Sequence, residues 1–397
     1  MNVQKSLSAF ADEALRRYEL PGLVIGVKSG SGGQAPEPAA PVGDSAHGGR
    51  PPEPASKKTG DEGIDCIAAV GFMDAVERIP MTAEAVFHTG SVSKLFVATA
   101  VLRMADRGIL DLDIPLSAAA PWFTMSGGGL EGVTLRRLLT HTAGMPDVKD
   151  YEWNTPQTDA RALKRFVLSK AVTEEALLWP PDENRFMYSN MGYELLGALI
   201  AEVSGTDFET YINDDLLKPL GMNNTTFLTF LRTPAGRLMN ADTAGREEIE
   251  EALSLTALRA AGVCTPHRRD ESGRAVREKV FPYNRAHAPS STLTSNARDL
   301  MKWGEAHLNK KMLSEEMYKD VTKPRALVPN NGEHIGLGWF IREQNGYTLY
   351  GHEGTDDGFR ASFWICPELK AQVIVLANLS DAPVKRINKE AFSLLFS

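Results

Sequence analysis

The sequence predicts an α+β fold, an antiparallel sheet flanked by helices with an inserted, mostly helical lobe. Three observations predict it. Strand-like segments lie near both ends of the chain, at residues 22–28 and 64–72 early and in four stretches from 336 onward. Between them, residues 110–284 read as mostly helical, and the chain closes on an amphipathic helix over 381–397. A sheet assembled from both chain ends, with helices packed on it, accounts for this order. We read 1–397 as one domain, with an α/β lobe over about 1–110 and 285–397 and a helical lobe over about 111–284.

The N-terminus is an amphipathic helix, with Leu7, Phe10, Ala11 and Leu15 spaced for one face. GLVIGVK (22–28) and IDCIAAVGF (64–72) are apolar enough for buried strands. Residues 29–63 between them are rich in Gly, Pro, Ala and Ser and cannot bury enough surface to fold, so they are read as a long disordered loop at the tip of a β-hairpin. An interdomain linker is the weaker alternative, because only one helix and one strand precede it. Residues 95–105 are apolar on nearly every side, which marks a buried helix ending at Gly108. Residues 193–203, stopped by Gly205, and 296–308 are further helices, whereas 235–285 is charged and stays unassigned. GLGWFI, TLYGH, ASFWI and QVIVLAN supply the late strands.

Composition excludes several classes. With 43% hydrophobic and 24% charged residues the chain suits a globular protein. Fifty-one acidic against 43 basic residues leave a net charge of −8, without the basic surplus of a nucleic-acid binder. Cys66, Cys264 and Cys366 form no CxxC pair and read as reduced thiols. No H-x-H or HExxH pairing suggests a metal, and no cofactor is called for. No apolar stretch approaches the ~18 residues that span a bilayer. The N-terminal segment also lacks a signal peptide's apolar core, so the chain is placed in the cytoplasm, a leader already removed being the alternative. Monomer and homodimer stay open.

Three short motifs carry chemistry. In Ser91-Val92-Ser93-Lys94 the serine sits where a turn enters the buried helix, and Lys94, three residues on, shares its face. Free N–H groups and the positive end of the helix dipole favour an anion there, and a nearby amine can deprotonate the hydroxyl. The alternative is that Ser91 only caps the helix. S-x-x-K by itself is weak, with roughly one or two chance matches expected at this length. Its lysine, however, falls near the buried start of an apolar helix, where an unpaired charge is costly. In Tyr188-Ser189-Asn190 the tyrosine can accept the serine proton if a Lys94 ammonium lowers its pKa, and Asn190 can bond the lysine or a substrate carbonyl. In His352-Glu353-Gly354 the glycine permits close backbone approach beside a strand, and the N–H of Thr355 can join that of Ser91 as an oxyanion donor. His141 is read as structural, and Tyr151 and Trp153 as plain surface or packing aromatics rather than walls of an acyl pocket. No G-x-S-x-G occurs, against an α/β-hydrolase fold.

The order S-x-x-K, Tyr-x-Asn, His-x-Gly resembles the serine β-lactamase-like family: class C β-lactamases, DD-peptidases and their esterase and D-aminopeptidase relatives. LPGLVIGV, the segment 86–117 around Ser91, 133–147, LLKPLGMNNTTF, 291–303 and GLGWFI also resemble it, leaving only 29–63 and roughly 230–285 outside. The resemblance implies a β-lactamase/transpeptidase-like fold and an acyl-enzyme on Ser91. It also implies Tyr188 with Lys94 as general base, Asn190 as positioner, and the Ser91 and Thr355 amides as oxyanion hole. One departure matters. His352 stands where many β-lactamases carry the lysine of K-T-G, which binds a substrate carboxylate. A histidine is only partly charged near neutrality, and Glu353 adds a negative neighbour, so a small neutral ester or amide gains weight as substrate. β-Lactamase or DD-carboxypeptidase activity, acyl transfer to an alcohol, and a non-catalytic binding protein of the same fold are the alternatives.

Overall fold

The computed structural model describes residues 3–30, 63–229 and 251–396. The strands are β1 (Gly22–Ser29), β2 (Asp65–Asp74), β3 (Ile79–Pro80), β4 (Ala326–Leu327), β5 (His334–Ile335), β6 (Phe340–Gln344), β7 (Tyr347–Asp356), β8 (Phe359–Cys366) and β9 (Ala371–Ala377). They form one nine-stranded sheet in the order β3-β2-β1-β9-β8-β7-β6-β5-β4, antiparallel at every join. The chain ends meet at its middle, where Leu23 faces Ala377 and Ser29 faces Ala371. This is the α+β arrangement the sequence predicts. β1 and β2 pair as a hairpin would, Lys28 opposite Asp65. The loop expected over 29–63 lies, apart from its ends, outside the described residues.

Strand alternation sorts the core into two layers. Leu23, Ile25, Val27, Val373 and Val375 face one way, onto α1 (Val3–Arg17) and the C-terminal helix Val384–Phe396. Val24, Ile374, Leu376 and Phe363 face the other way, onto α2 (Ser93–Asp106) and the helix Ala297–Leu308. There Phe96 stacks on Trp303 with ring centroids 4.0 Å apart. α2 is therefore buried on nearly all sides, Lys94 included, which fixes its first turn against the sheet.

Two expectations need correction. Among the described residues of 110–284 the helices are short, except for α3 (Asn190–Ser204). The unassigned stretch contains a helix, Leu255–Ala260, and a two-stranded ribbon of His267–Arg269 and Ala275–Arg277. That ribbon belongs physically beside the sheet: Thr265 N–H donates to the Met73 carbonyl at 2.9 Å, and the His267 ring lies 3.1 Å from the Asn378 carbonyl. Its placement there depends on partners far away in sequence, which local composition does not reveal. GLGWFI is likewise only partly strand. Gly336 N–H bonds the Trp339 carbonyl at 2.8 Å in a turn, and β6 starts at Phe340.

Candidate active site

Ser91 lies in a tight turn, Gly90–Val92, directly ahead of α2. The turn is held locally. Gly90 has φ +52°, and its N–H donates to Nδ1 of the buried His88 at 3.2 Å. Ser93 Oγ donates to the Gly90 carbonyl at 2.7 Å and accepts from the Leu293 N–H at 3.1 Å. A side chain at Gly90 would meet the Thr355 backbone nitrogen at 2.7 Å, so the turn and β7 approach more closely than any other residue permits. Gly354 is a second such point, since a Cβ there would sit 1.9 Å from the Thr89 carbonyl oxygen. Two glycines thus let the turn that carries Ser91 and the Gly354–Thr355 stretch of β7 pack backbone against backbone. The Ser91 hydroxyl makes no cap: α2 starts without a side-chain capping bond, and Ser91 Oγ accepts from Lys94 Nζ at 3.1 Å.

Lys94 is fully buried. Its Nζ donates to Asn190 Oδ1 at 2.6 Å and to the Ser290 carbonyl at 2.7 Å, besides Ser91. Burial pushes its pKa down to about 7, against the upward pull of Glu194, Asp147 and Asp356. Asn190 is delivered by α3, which begins with Ser189 capping the Gly192 N–H at 3.1 Å.

Tyr188 precedes that cap. Its hydroxyl is buried, and no hydrogen bond of good geometry joins it to another group. Burial drives its pKa upward, opposed only in part by the nearby Ser91 hydroxyl. This reverses the expectation that Lys94 lowers the tyrosine. The phenol is the protonated partner and the amine is the one poised near neutrality. His141 stacks on Tyr188 at 4.3 Å and accepts from the Ser189 N–H at 3.1 Å, so it shapes this loop from behind.

His352 is buried, packed edge-on to Phe340 at 4.9 Å, and burial pushes its pKa down to about 3, with Lys94 adding to the shift. The expectation of a partly charged imidazole is thereby corrected: dry surroundings keep it neutral. Glu353 does not stand beside it in the cleft as a free charge. It accepts from Trp364 Nε1 at 2.7 Å and Ser362 Oγ at 3.2 Å, and burial pushes its pKa up.

A cavity of about 320 Å³ opens on Ser91, Tyr188, His352 and Thr355, walled by Phe186 and Phe340. Beyond Thr355 lies a second, of about 400 Å³, with Tyr151, Trp153, Asp356 and Arg360 in its wall. The two aromatics stack on each other at 4.8 Å, packed as the sequence reading has them, and their exposed parts face this second cavity. Among the described residues no group of His, Cys, Asp or Glu is arranged to hold a metal, and no helix is long and apolar enough to cross a membrane.

Of the seven residues singled out in the sequence, Ser91, Tyr188, His352 and Thr355 thus line one cavity, while Lys94 bonds both Ser91 and Asn190 and Gly354 packs against Thr89. Comparison with known proteins bears on what kind of cleft it is. The profile of the family described as Beta-lactamase matches residues 59–395. The chain belongs to the beta-lactamase family. Similar curated proteins include "Protein flp" of Staphylococcus aureus (strain MW2), 26% identical over 80% of this chain and 57% of that protein. Penicillin-binding protein 4* of Bacillus subtilis is 25% identical over 68% of this chain and 56% of that protein. The chain spans a little over half the length of these curated relatives. Among solved structures, the octameric penicillin-binding protein homologue from Pyrococcus abyssi superposes with a TM-score of 0.73 at 26% identity, covering 100% of this chain and 77% of that one. The D-amino acid amidase from Ochrobactrum anthropi SV3 complexed with D-phenylalanine gives 0.69 at 18% identity, over 99% and 98%, and so shares the fold.

Sequence reasoning missed the layer behind this beta-lactamase-family cleft. Asp147 accepts from the Asn190 backbone N–H at 2.7 Å and from its side-chain amide at 3.0 Å. Glu194, entirely buried, accepts from Ser290 Oγ at 2.6 Å. Asp356 accepts from Ser291 Oγ, and burial raises its pKa to about 7. Only Glu194 carries a local signal, a lone charge inside an apolar helical run.

Proposed function

We propose that the protein is a serine hydrolase that cleaves a small, neutral ester or amide through an acyl-enzyme on Ser91. One observation carries the reading. The buried Lys94 amine lies 3.1 Å from Ser91 Oγ, with its two shorter bonds already committed to acceptors. Neutral Lys94 takes the proton from Ser91 Oγ as that oxygen bonds to the substrate carbonyl carbon. The carbonyl oxygen becomes an oxyanion between the Ser91 and Thr355 amides. As the tetrahedral adduct collapses, Tyr188 passes a proton to the leaving group and regains one from the Lys94 ammonium. Water then attacks the acyl carbon by the same route and frees Ser91.

The neutral substrate follows from charge. His352 is held uncharged, and the one cation in that cavity's wall, Lys385, is paired with Glu333 at 2.6 Å. Among the described residues, the wall of that cavity therefore holds no unpaired cation to meet a substrate carboxylate. D-Aminoacyl amides carry no carboxylate and so stay in the panel beside uncharged esters, and the penicillin-binding relative keeps β-lactams there as well.

A fluorophosphonate probe with intact-mass readout tests the reading. One adduct is expected, on Ser91, forming faster as pH rises through about 7, where Lys94 loses its proton, and level above that. Uncharged esters should then turn over faster than matched esters bearing a carboxylate. A folded protein that takes no adduct would refute the hydrolase reading.

A further inference from the structure

Lys94 is braced on two sides by carboxyl groups that it does not touch. On one side stands Asn190. Its side-chain amide donates to both Asp147 oxygens at 3.0 and 3.2 Å, and its backbone N–H donates to the same carboxyl at 2.7 Å. With the NH₂ end so occupied, only the amide oxygen can face Lys94, and it does so at 2.6 Å. On the other side the Ser290 carbonyl accepts from Lys94 at 2.7 Å, while Ser290 Oγ donates to Glu194 at 2.6 Å. Asn190 and Glu194 are four residues apart on α3, so both braces leave one helix face. Glu194 also meets His287 Nδ1 at 3.2 Å, yet its second oxygen is buried without a partner. A carboxyl left half-satisfied in the core is expensive to keep.

We propose that Asp147 and Glu194 are the positioning residues of this site, acting through Asn190 and Ser290 to hold the Lys94 amine with one valence left for Ser91. The inference rests on the reading of Lys94 as the base. A neutral amine has two N–H bonds and one lone pair. The two short contacts are to acceptors that cannot exchange roles, so in the neutral amine both hydrogens point there, the contact in which the ammonium donates to Ser91 Oγ reverses, and the lone pair accepts from the Ser91 hydroxyl. When the serine proton arrives, the O–H bond breaks, the N–H bond forms on that lone pair, and the new ammonium meets two carboxyl groups one relay away. The groups facing Lys94 are Asp147, Glu194 and Asp356, which favour the ammonium, the uncharged His141 and His352, and the rings of Tyr188 and Tyr193 at 5.0 and 5.5 Å.

The test titrates Lys94 directly, by NMR of lysines labelled with carbon-13 at Cε in the full chain, with Lys94→Met assigning the signal. The midpoint should lie near pH 7 in the wild type. Asp147→Asn and Glu194→Gln keep shape and one acceptor oxygen but remove charge, so each should lower the midpoint by about 0.5 pH unit or more. Asp147→Leu, which frees the Asn190 amide to rotate, should slow fluorophosphonate labelling about tenfold on the high-pH plateau, with Asp147→Asn staying close to wild type. Unmoved midpoints in folded Asp147→Asn and Glu194→Gln overturn the proposal, and either variant alone decides it. Shifted midpoints in a protein that never labels would support the bracing and overturn the hydrolase reading instead.

Discussion

Ser91→Ala is expected to lose roughly a millionfold in turnover, the scale seen when a serine nucleophile is removed from a working triad, and to melt close to the wild type. The second half of that result follows from the geometry. Were Ser91 the cap of α2, its loss would cost about 0.5–2 kcal/mol. The helix instead starts with no side-chain cap, and the hydroxyl's hydrogen bond comes from Lys94. Ester turnover and thermal melting, measured on one preparation, separate the two roles. An alanine variant that keeps activity would remove Ser91 from the chemistry, and one that melts well below the wild type would restore the capping role.

The parts of this site that were legible in the sequence are those whose chemistry is local. S-x-x-K needs one helical turn, Tyr-x-Asn one cap, and His-x-Gly one strand, so the residues that meet at the cleft could be named before any fold was known. Protonation states were not legible, because they depend on what surrounds a group. The sequence suggested an ammonium that depresses Tyr188 and a half-charged His352. Burial reverses the first and removes the second, since a dry site penalises whichever form carries charge. The same blindness hid Asp147, whose role exists only because the segment after His141 folds back under Asn190. In the fold, an antiparallel sheet built from both chain ends followed from strand-like texture there, whereas the place of the ribbon at 267–277 was illegible because the groups that hold it and the adjacent Thr265, Asn378 and Met73, lie far away in sequence. Tyr151 and Trp153 stack on each other and also face a cavity. Spacing does not tell an aromatic that packs from one that lines a cavity.

Lys94→Met is expected to slow fluorophosphonate labelling by about 10³–10⁴-fold, the upper range for loss of a general base, without a loss of stability. Methionine matches the lysine stem in length and is content in the apolar core around α2. The change leaves the Asn190 and Ser290 oxygens without a donor, at about 1–3 kcal/mol for each buried group. Against this it removes a buried ammonium that the folded state disfavours, since Lys94 is lowered from 10.5 to about 7. Between those two pH values the unfolded chain binds a proton that the folded chain does not, so the wild type gains stability as pH rises from 7 toward 10.5, and the burden of the ammonium is full below pH 7. The methionine variant should therefore compare best with the wild type in mild acid, and its advantage should shrink on the alkaline side. Melting curves at about pH 6 and pH 9 would show it. A variant that melts far below the wild type at pH 6 would mean that the ammonium is held for stability, and that the proton of Ser91 leaves by another path.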